Sequence, residues 1–347
     1  MEAEGRYRRL FWLLGIGAAV IFFGSFLVGR YAVAPGKTAC ILADALLRGV
    51  SGGRLGLSPF WQSAERAVVV NVRLPRVFAA ALVGAALSAA GVSYQGMFRN
   101  PMVSPDLLGA STGAGFGAAL SIYFGFSYFG ITLAAFLFGL GAVLLAYLVS
   151  RASRLESALS MVLAGVMIGS LFTSGTSLIK LVADTENQLP AITYWLMGSL
   201  SSVGARDVKF IFWPIAAGLV PLLLLRWRVN LLTLPEAEAA SMGVDTKRLR
   251  AAVILCATLM TAASVSVSGM IGWVGLVIPH FARMLFGYDY RRLLPASALM
   301  GAAFLMVVDD LARVLTTSEI PLGILTSFVG APLFIWLILT GGSERHA

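Results

Sequence analysis

The sequence has 347 residues, of which 58% are hydrophobic and only 12% are charged, and its mean hydropathy is +0.85. Globular domains carry roughly a quarter charged residues, so this composition excludes a water-soluble protein and predicts extensive contact with lipid. The net charge of +9 does not indicate a nucleic-acid partner, because the arginines lie at the ends of apolar segments and no basic stretch has interleaved aromatic residues.

Ten apolar segments follow one another along the chain, and most are long enough to cross a bilayer as a helix. We therefore expect an all-α, polytopic membrane protein with ten transmembrane helices in a single domain over residues 1–347. Lysine and arginine cluster in alternate connections, which predicts that both termini lie in the cytoplasm. The expected spans are residues 10–29, 74–97, 105–123, 128–149, 156–181, 208–225, 249–268, 271–286, 294–313 and 321–340.

Two connections are too long to be simple turns, and long loops in compact proteins are often functional. The external segment 30–72 contains a possible amphipathic helix, Lys37–Arg48. The cytoplasmic segment 227–248 contains a short helix pattern, Glu236–Ser241, with acidic residues in its first turn and Gly243 just beyond its end. A short rigid helix on the cytoplasmic face suits docking to another protein.

The motifs for nucleotide binding and catalysis are incomplete. Gly36–Thr38 imitates the end of a phosphate-binding loop, but Tyr31 stands where the first glycine is needed. The chain has two histidines, without paired carboxylates in a polar setting. Cys40 and Cys256 are the only cysteines and indicate neither a disulfide framework nor a metal site. We therefore expect no enzymatic activity, no bound metal and no cofactor.

Ionisable residues within the predicted spans lie toward the outer face of the membrane. They are Lys180, Asp309, Asp310 and Arg313. A secondary transporter driven by an ion gradient is expected to carry such groups near the middle of the membrane. Their peripheral placement argues against an ion-coupled secondary transporter, which stays the alternative function.

Three arginines, Arg73, Arg76 and Arg313, lie at external ends of spans, against the charge rule that orients the rest of the chain. Two interpretations are equally open. In the first, they reach lipid phosphates or pair internally, with Arg313 bound to Asp309 one helical turn before it. In the second, they form a positive docking surface for the carboxylates of an external partner.

Several motifs between Arg73 and Leu339 occur together in one known family. The chain closely resembles the iron-chelate, haem and cobalamin permeases of type II ABC importers, the FecCD type. The motifs that carry the resemblance are Arg73–Arg76, Ala90–Pro101, Pro105–Gly109, Trp195–Ser199, Gly275–His280, Glu319–Gly323 and Gly330–Pro332.

The resemblance implies a multi-pass permease subunit of the inner (plasma) membrane that does not itself hydrolyse ATP. It implies a homodimer of ten-helix subunits, two cytoplasmic ATP-binding subunits and an external solute-binding protein. The cargo would be a metal chelate, such as a ferric siderophore, haem or cobalamin, or an oxyanion such as molybdate. No residue in the sequence separates these substrates.

The resemblance also implies roles for particular residues. Docking of the binding protein is assigned to Arg73, Arg76 and Arg313, which favours the second interpretation above. ATPase coupling is assigned to Glu236, Glu238, Ser241, Met242 and Gly243. The pathway would be lined by the fifth and tenth spans, with a cytoplasmic gate where the fourth and fifth spans join. These pathway and gate residues are Glu156, Ser157, Ala158, Met161, Met167, Ser170, Thr173, Ser174, Ser177 and Leu322.

Overall fold

The computed structural model describes residues 2–52, 54, 56–57, 60–153 and 157–341, and this part of the chain is helical without strands. Its first seven α-helices are α1 (Glu2–Ser25), α2 (Pro35–Ser51), α3 (Ser63–Ala67), α4 (Leu74–Met97), α5 (Ala110–Tyr123), α6 (Tyr128–Ala152) and α7 (Ser157–Val182). The next seven are α8 (Gln188–Met197), α9 (Ala205–Leu232), α10 (Glu236–Ser241), α11 (Thr246–Ser268), α12 (Val274–Phe286), α13 (Tyr290–Val314) and α14 (Leu322–Gly341). A π-helical segment, Val68–Arg73, joins α3 to α4, and a 3-10 turn, Pro105–Leu108, precedes α5.

All ten predicted spans coincide with helices, but they do not all have the length of a membrane crossing. Within the described residues, seven helices are long and apolar enough to cross a membrane: α1, α4 with α3 before it, α6, α7, α9, α11 and α13. The predicted spans 105–123 and 271–286 instead contain the shorter helices α5, of 14 residues, and α12, of 13 residues, whereas the predicted span 321–340 coincides with α14, of 20 residues. The all-α polytopic fold is confirmed, whereas the count of ten crossings is not.

The shortness of α12 follows from where this helix begins. Gly275, in its first turn, packs against Gly91 so closely that a Cβ atom on Gly91 would overlap the Gly275 carbonyl oxygen. Gly91 lies seventeen residues beyond Leu74, which is about 26 Å along α4 at 1.5 Å per residue. Helix α12 therefore begins beside the cytoplasmic half of α4 and not at its outer end. Its 13 residues, about 20 Å long at 1.5 Å per residue, do not cross the whole hydrocarbon core, which is about 30 Å thick.

Helix α4 is the central helix of the fold, and it is buried along most of its length among α9, α11, α12 and α13. Small residues allow this packing: a Cβ atom on Gly84 would overlap the carbonyl oxygen of Gly301 on α13. Gly113 of α5 faces the backbone of α6 at Phe138 in the same way. Without a hydrophobic driving force in lipid, such close backbone approach supplies the dispersion energy that holds the helices together.

The external segment folds into a small unit above the membrane-spanning helices. The predicted helix Lys37–Arg48 is confirmed and extends over the whole of α2. Its Ile41 is fully buried in a cluster with Val33, Trp61 and Val69. Val69 belongs to the π-helical segment, so α2 is packed directly on the outer extension of α4.

Candidate functional site

The three external arginines meet in one buried cluster at the outer ends of α4 and α13, here called the outer arginine cluster. Arg73 ends the π-helical segment, Arg76 is in the first turn of α4 and Arg313 is in the last turn of α13. Their exposed fractions are only 3%, 3% and 6%. The guanidinium groups therefore do not form an open positive surface on the single chain.

Arg76 lies between two carboxylates. Its Nε atom donates to Asp309 Oδ1 at 2.9 Å and Oδ2 at 3.0 Å, and its Nη1 atom donates to Glu319 Oε1 at 2.9 Å. Asp309 is fully buried, whereas the Glu319 side chain is one-third exposed. These charge-assisted bonds satisfy a cation that would otherwise be costly to bury.

Arg313 makes the internal pair that was one of the two sequence interpretations. Its Nε atom lies 3.2 Å from Asp309 Oδ2, and its Nη2 atom also contacts Asp310. Its Nη1 atom donates to the Val28 carbonyl oxygen at 3.0 Å, and Asp310 accepts a 2.6 Å bond from Ser25 Oγ. The end of α1 is thereby bound to the end of α13.

Arg73 is bound by carbonyl oxygens. Its guanidinium donates to the carbonyl of Phe26 at 2.7 Å and to that of Tyr31, and no carboxylate of the described residues lies within ion-pair distance. Arg30, which is exposed, donates to the carbonyls of Arg313 at 3.1 Å and Thr316 at 2.8 Å. The cluster therefore joins α1, the external segment, α4 and α13, and a docking role for its arginines stays a prediction.

Most of the predicted pathway residues lie on one exposed face of α7. Met167, Ser170, Thr173, Ser174 and Ser177 are all exposed on the single chain. Thr173 Oγ1 donates to the Gly169 carbonyl at 2.8 Å and Ser177 Oγ to the Thr173 carbonyl at 3.0 Å. Back-bonding of this kind leaves hydroxyl lone pairs on the surface. The face is uncharged, and it is apolar in part, because Leu163, Val166 and Leu181 are exposed on the same side of the helix.

The other predicted pathway residues are not on this face. Met161 and Leu322 are buried, with exposed fractions of 4% and 1%. Glu156 lies outside the described residues, and only the backbone of Ser157 and Ala158, at the start of α7, is described. The gate therefore stays a prediction.

Helix α8 was not predicted, and it lies between α7 and α14. Ile192 packs with Ile179 and Ala183 at the end of α7, while the Leu322 backbone N–H at the start of α14 donates to the Gly198 carbonyl at 2.8 Å. A helix of ten residues is too short to be recognised as a membrane span. The local signal was Gly198 just past the helix, where φ is +76°.

Two cavities flank α8. One, of about 630 Å³, lies between α8, the 270–272 backbone and α14, with Met197, Met270, Ser327 and Phe328 in its wall. The other, of about 520 Å³, lies between α8 and residues 316–321 and includes Glu319. The residues that line the first cavity are uncharged, like the exposed hydroxyl residues of α7.

The predicted cytoplasmic helix is confirmed as α10, residues Glu236–Ser241. Ala239 is buried and anchors the helix against α9 and α11, whereas Glu238, Ser241 and Met242 are exposed. Gly243 has φ +76°, a left-handed conformation that ends the helix. For Glu236 only the backbone is described. The coupling role of these residues stays a prediction, and their exposure permits it.

The structure also contains a buried arginine that sequence reasoning missed. Arg283 of α12 is 9% exposed and donates to the Gln95 side-chain oxygen, while Gln95 Nε2 donates to the carbonyls of Val103 at 3.1 Å and Gly275 at 3.3 Å. The signal was an arginine within a predicted apolar span. Its contacts fix α12 and the 98–104 loop to α4.

Among the described residues, no group of three or more His, Cys, Asp and Glu side chains could hold a metal ion. The two candidate functional features are therefore the outer arginine cluster, on α4 and α13, and the uncharged exposed face of α7.

The chain is similar over most of its length to known membrane permeases. Residues 15–340 match the FecCD transport family. The molybdate import system permease protein MolB of Haemophilus influenzae is 41% identical over 336 residues, covering 96% of both chains. The hemin transport system permease protein HmuU of Yersinia pestis is 37% identical over 283 residues, covering 80% of this chain and 84% of HmuU. A solved structure described as an inward-facing conformation of a metal-chelate type ABC transporter superposes with a TM-score of 0.84 at 38% identity, covering 96% of this chain and 99% of that one.

Proposed function

This chain belongs to the FecCD transport family, and we propose that two copies of it enclose the pathway by which a metal chelate or a small oxyanion crosses the membrane. The chain is the membrane-spanning permease subunit of an ATP-binding-cassette importer. Two cytoplasmic ATPase subunits and an external solute-binding protein complete the proposed assembly.

The hydroxyl face of α7 is the observation that carries this proposal. A helix of 26 residues that faced only lipid would gain nothing from four exposed hydroxyl side chains, Ser170, Thr173, Ser174 and Ser177. Facing a water-containing pathway, the same groups are solvated. Because they carry no charge, they let a polar cargo pass without holding it.

The exposure of this face on the single chain supports a homodimer. The hydroxyls of α7 and the cavity of about 630 Å³ beside α14 open to the outside of the single chain. A second copy related by a two-fold axis would place the same surface opposite and close the pathway. Closed two-fold pairs are the commonest arrangement of identical subunits.

The chemistry of the face restricts the cargo to a class. A binding protein that delivers a complete chelate or oxyanion leaves the permease without a need for ligating side chains. The relatives named for molybdate and hemin span both kinds of cargo. An ion-coupled mechanism is disfavoured, because Asp309, Asp310 and Glu319 are engaged with arginines at the outer end.

Transport by reconstituted complexes tests the proposal. The permease would be placed in proteoliposomes with its ATPase and binding protein, and ATP-dependent uptake of molybdate and of hemin would be measured. We expect no uptake without the ATPase. Uptake driven by an ion gradient in the permease alone would support the secondary-transporter alternative instead.

Two single-cysteine variants test whether the pathway runs along α7. In a chain with Cys40 and Cys256 replaced by Ala, a bulky thiol reagent on Ser174→Cys should block uptake. The matched control is Leu224→Cys, because Leu224 is 79% exposed on α9, away from α7, α8 and α14. Equal inhibition at both positions, or none at Ser174→Cys, would contradict a pathway along α7.

A further inference from the structure

Helix α2 of the external segment has its polar and apolar faces reversed relative to a helix on a water-exposed surface. Its polar side chains Lys37, Asp44 and Arg48 lie on the side that faces the rest of the external segment. The opposite face is exposed and has no polar side chain. That exposed face, the outward face of α2, consists of Gly36, Ala39, Ala43, Leu46, Leu47 and Val50.

The charged groups of α2 are engaged in holding the external segment together. Lys37 Nζ lies 2.8 Å from Glu65 Oε1, and Arg48 Nε lies 2.8 Å from Asp44 Oδ1. Asp44 is fully buried and also accepts a 3.0 Å bond from the Leu57 backbone N–H. These bonds hold the pKa of the Asp44 carboxyl below its ordinary value, chiefly through the hydrogen bond from Arg48.

The outward face is strongly apolar where it is most exposed. Leu46 is 69% exposed and Val50 is 84% exposed. In an ordinary surface helix the apolar stripe faces the core and the polar residues face water. The reversed arrangement of α2 predicts that its outward face contacts an apolar medium.

The position of α2 indicates which medium this is. The helix packs on Val68–Arg73, which continues directly into α4. Ile41 of α2 packs with Val69, five residues before Leu74, which is at most about 8 Å along the helix at 1.5 Å per residue. Leu74 is where the predicted membrane span begins. Interfacial helices bury their apolar faces about 5–10 Å into the boundary between headgroups and acyl chains.

Other large apolar side chains of the external segment and of the outer end of α4 are exposed as well. Phe60, Val72 and Phe78 are exposed by 61%, 49% and 42%, and Phe78 belongs to the membrane-spanning α4. The basic side chains Arg54 and Arg66 are exposed in the same segment, and Arg66 Nε lies 3.6 Å from Asp44 Oδ2. Segment 30–72 carries five basic and two acidic residues, and long basic side chains at this height reach lipid phosphates.

We propose that α2 is an interfacial anchor whose outward face is inserted into the outer leaflet, with Leu46, Leu47 and Val50 among the acyl chains. The ligand is membrane lipid. The anchor fixes the outer extension of α4, and with it Arg73 and Arg76, relative to the bilayer surface. This proposal requires only that α4 spans the membrane. It does not depend on which cargo is transported or on how many permease copies the importer contains.

Depth measurements on the complete importer in nanodiscs test the proposal. In the background with Cys40 and Cys256 replaced by Ala, Val50→Cys and Ala64→Cys would each carry an environment-sensitive fluorophore. Ala64 is the matched control, since it is also exposed but lies in α3, about 15 Å along the helix from Leu74. Quenching by aqueous iodide and by lipids with spin labels near the headgroup would be compared.

We expect the label at Val50→Cys to lose iodide quenching and gain quenching by the spin-labelled lipids, while the label at Ala64→Cys shows the opposite. Equal iodide access at both positions would overturn the proposal. Protection of Val50→Cys only after the binding protein is added would assign the face to that protein and also overturn it. Cross-linking between two Val50→Cys copies, with no lipid quenching, would assign it to a second copy of this chain.

Discussion

Asp309 is the carboxylate on which the outer arginine cluster depends, and replacing it with Asn tests the cluster directly. Its two oxygens lie 2.9–3.2 Å from nitrogens of Arg76 and Arg313, and the side chain is only 1% exposed. Asp309→Asn keeps the shape and removes the charge. Two buried guanidinium groups then lose their shared partner.

The cost can be worked out from what remains. Removing one partner of a buried ion pair costs about 3–5 kcal/mol. Arg76 retains Glu319 and Arg313 retains Asp310, so we expect the lower end, about 3 kcal/mol. Since 1.4 kcal/mol is a factor of ten in an equilibrium constant, the unfolding constant should rise about a hundredfold.

Reversible unfolding in mixed micelles, followed by circular dichroism, would measure this difference. The control is Glu186→Gln, an exposed external carboxylate, for which a change within about 0.5 kcal/mol is expected. Combining Asp309→Asn with Arg313→Gln should cost less than the two single changes added together, because they remove one shared interaction. Asp309→Asn with unaltered stability would refute the structural role of the cluster.

Charge-reversal variants of Arg73, Arg76 and Arg313 separate the two interpretations of these arginines. If Arg73→Glu, Arg76→Glu or Arg313→Glu lowers stability and leaves binding-protein association unchanged in the surviving protein, the arginines are structural. Loss of association at full stability, with a difference from the unaltered protein that shrinks as salt screens the charges, would support docking.

Three further results are expected. Replacing Glu236, Glu238 and Met242 together with Ala should abolish ATP-driven uptake and leave the melting temperature unchanged. Normal uptake by this triple variant would contradict a coupling role for the α10 region. Gly91→Ala should destabilise the fold by about 1–3 kcal/mol through overlap with α12, whereas Gly141→Ala, with open space around it, should not, as unfolding in mixed micelles would show. Native mass spectrometry should find two permease copies with two ATPase subunits, and one permease with one ATPase would disprove the homodimer.

The sequence was sufficient to predict helices that are marked by a long apolar run or by a local start and stop signal. The predicted span 74–97 coincides with α4, and the pattern Glu236–Ser241 coincides with α10. Helix α8 was missed, and the shorter helices α5 and α12 were predicted as full spans. Hydropathy detects apolar segments, but it does not show that α8 and α12 are only 10 and 13 residues long and pack against other helices.

The sequence identified the arginines of the outer cluster, but it predicted only some of the contacts that they make. The Arg313–Asp309 pair could be foreseen, since the two residues lie one helical turn apart. The Arg76–Asp309 pair joins residues 233 positions apart, and no local pattern reveals such a pairing. The burial of Met161 and Leu322 was likewise unforeseeable, because the exposed side of a helix in an apolar chain depends on which neighbours pack against it.

The outer arginine cluster has a consequence for the response of the importer to membrane voltage. Arg73, Arg76 and Arg313 are matched by Asp309, Asp310 and Glu319, so the cluster as a whole is close to neutral. One elementary charge crossing 100 mV exchanges about 2.3 kcal/mol with the field. A neutral group that moves as one body exchanges little, so the conformational cycle of the protein should carry small gating charge at this end. The charge of the cargo would then set most of the voltage dependence of transport. Moving a dianion into an inside-negative cell costs about 4.6 kcal/mol per 100 mV, and ATP hydrolysis would have to supply this free energy.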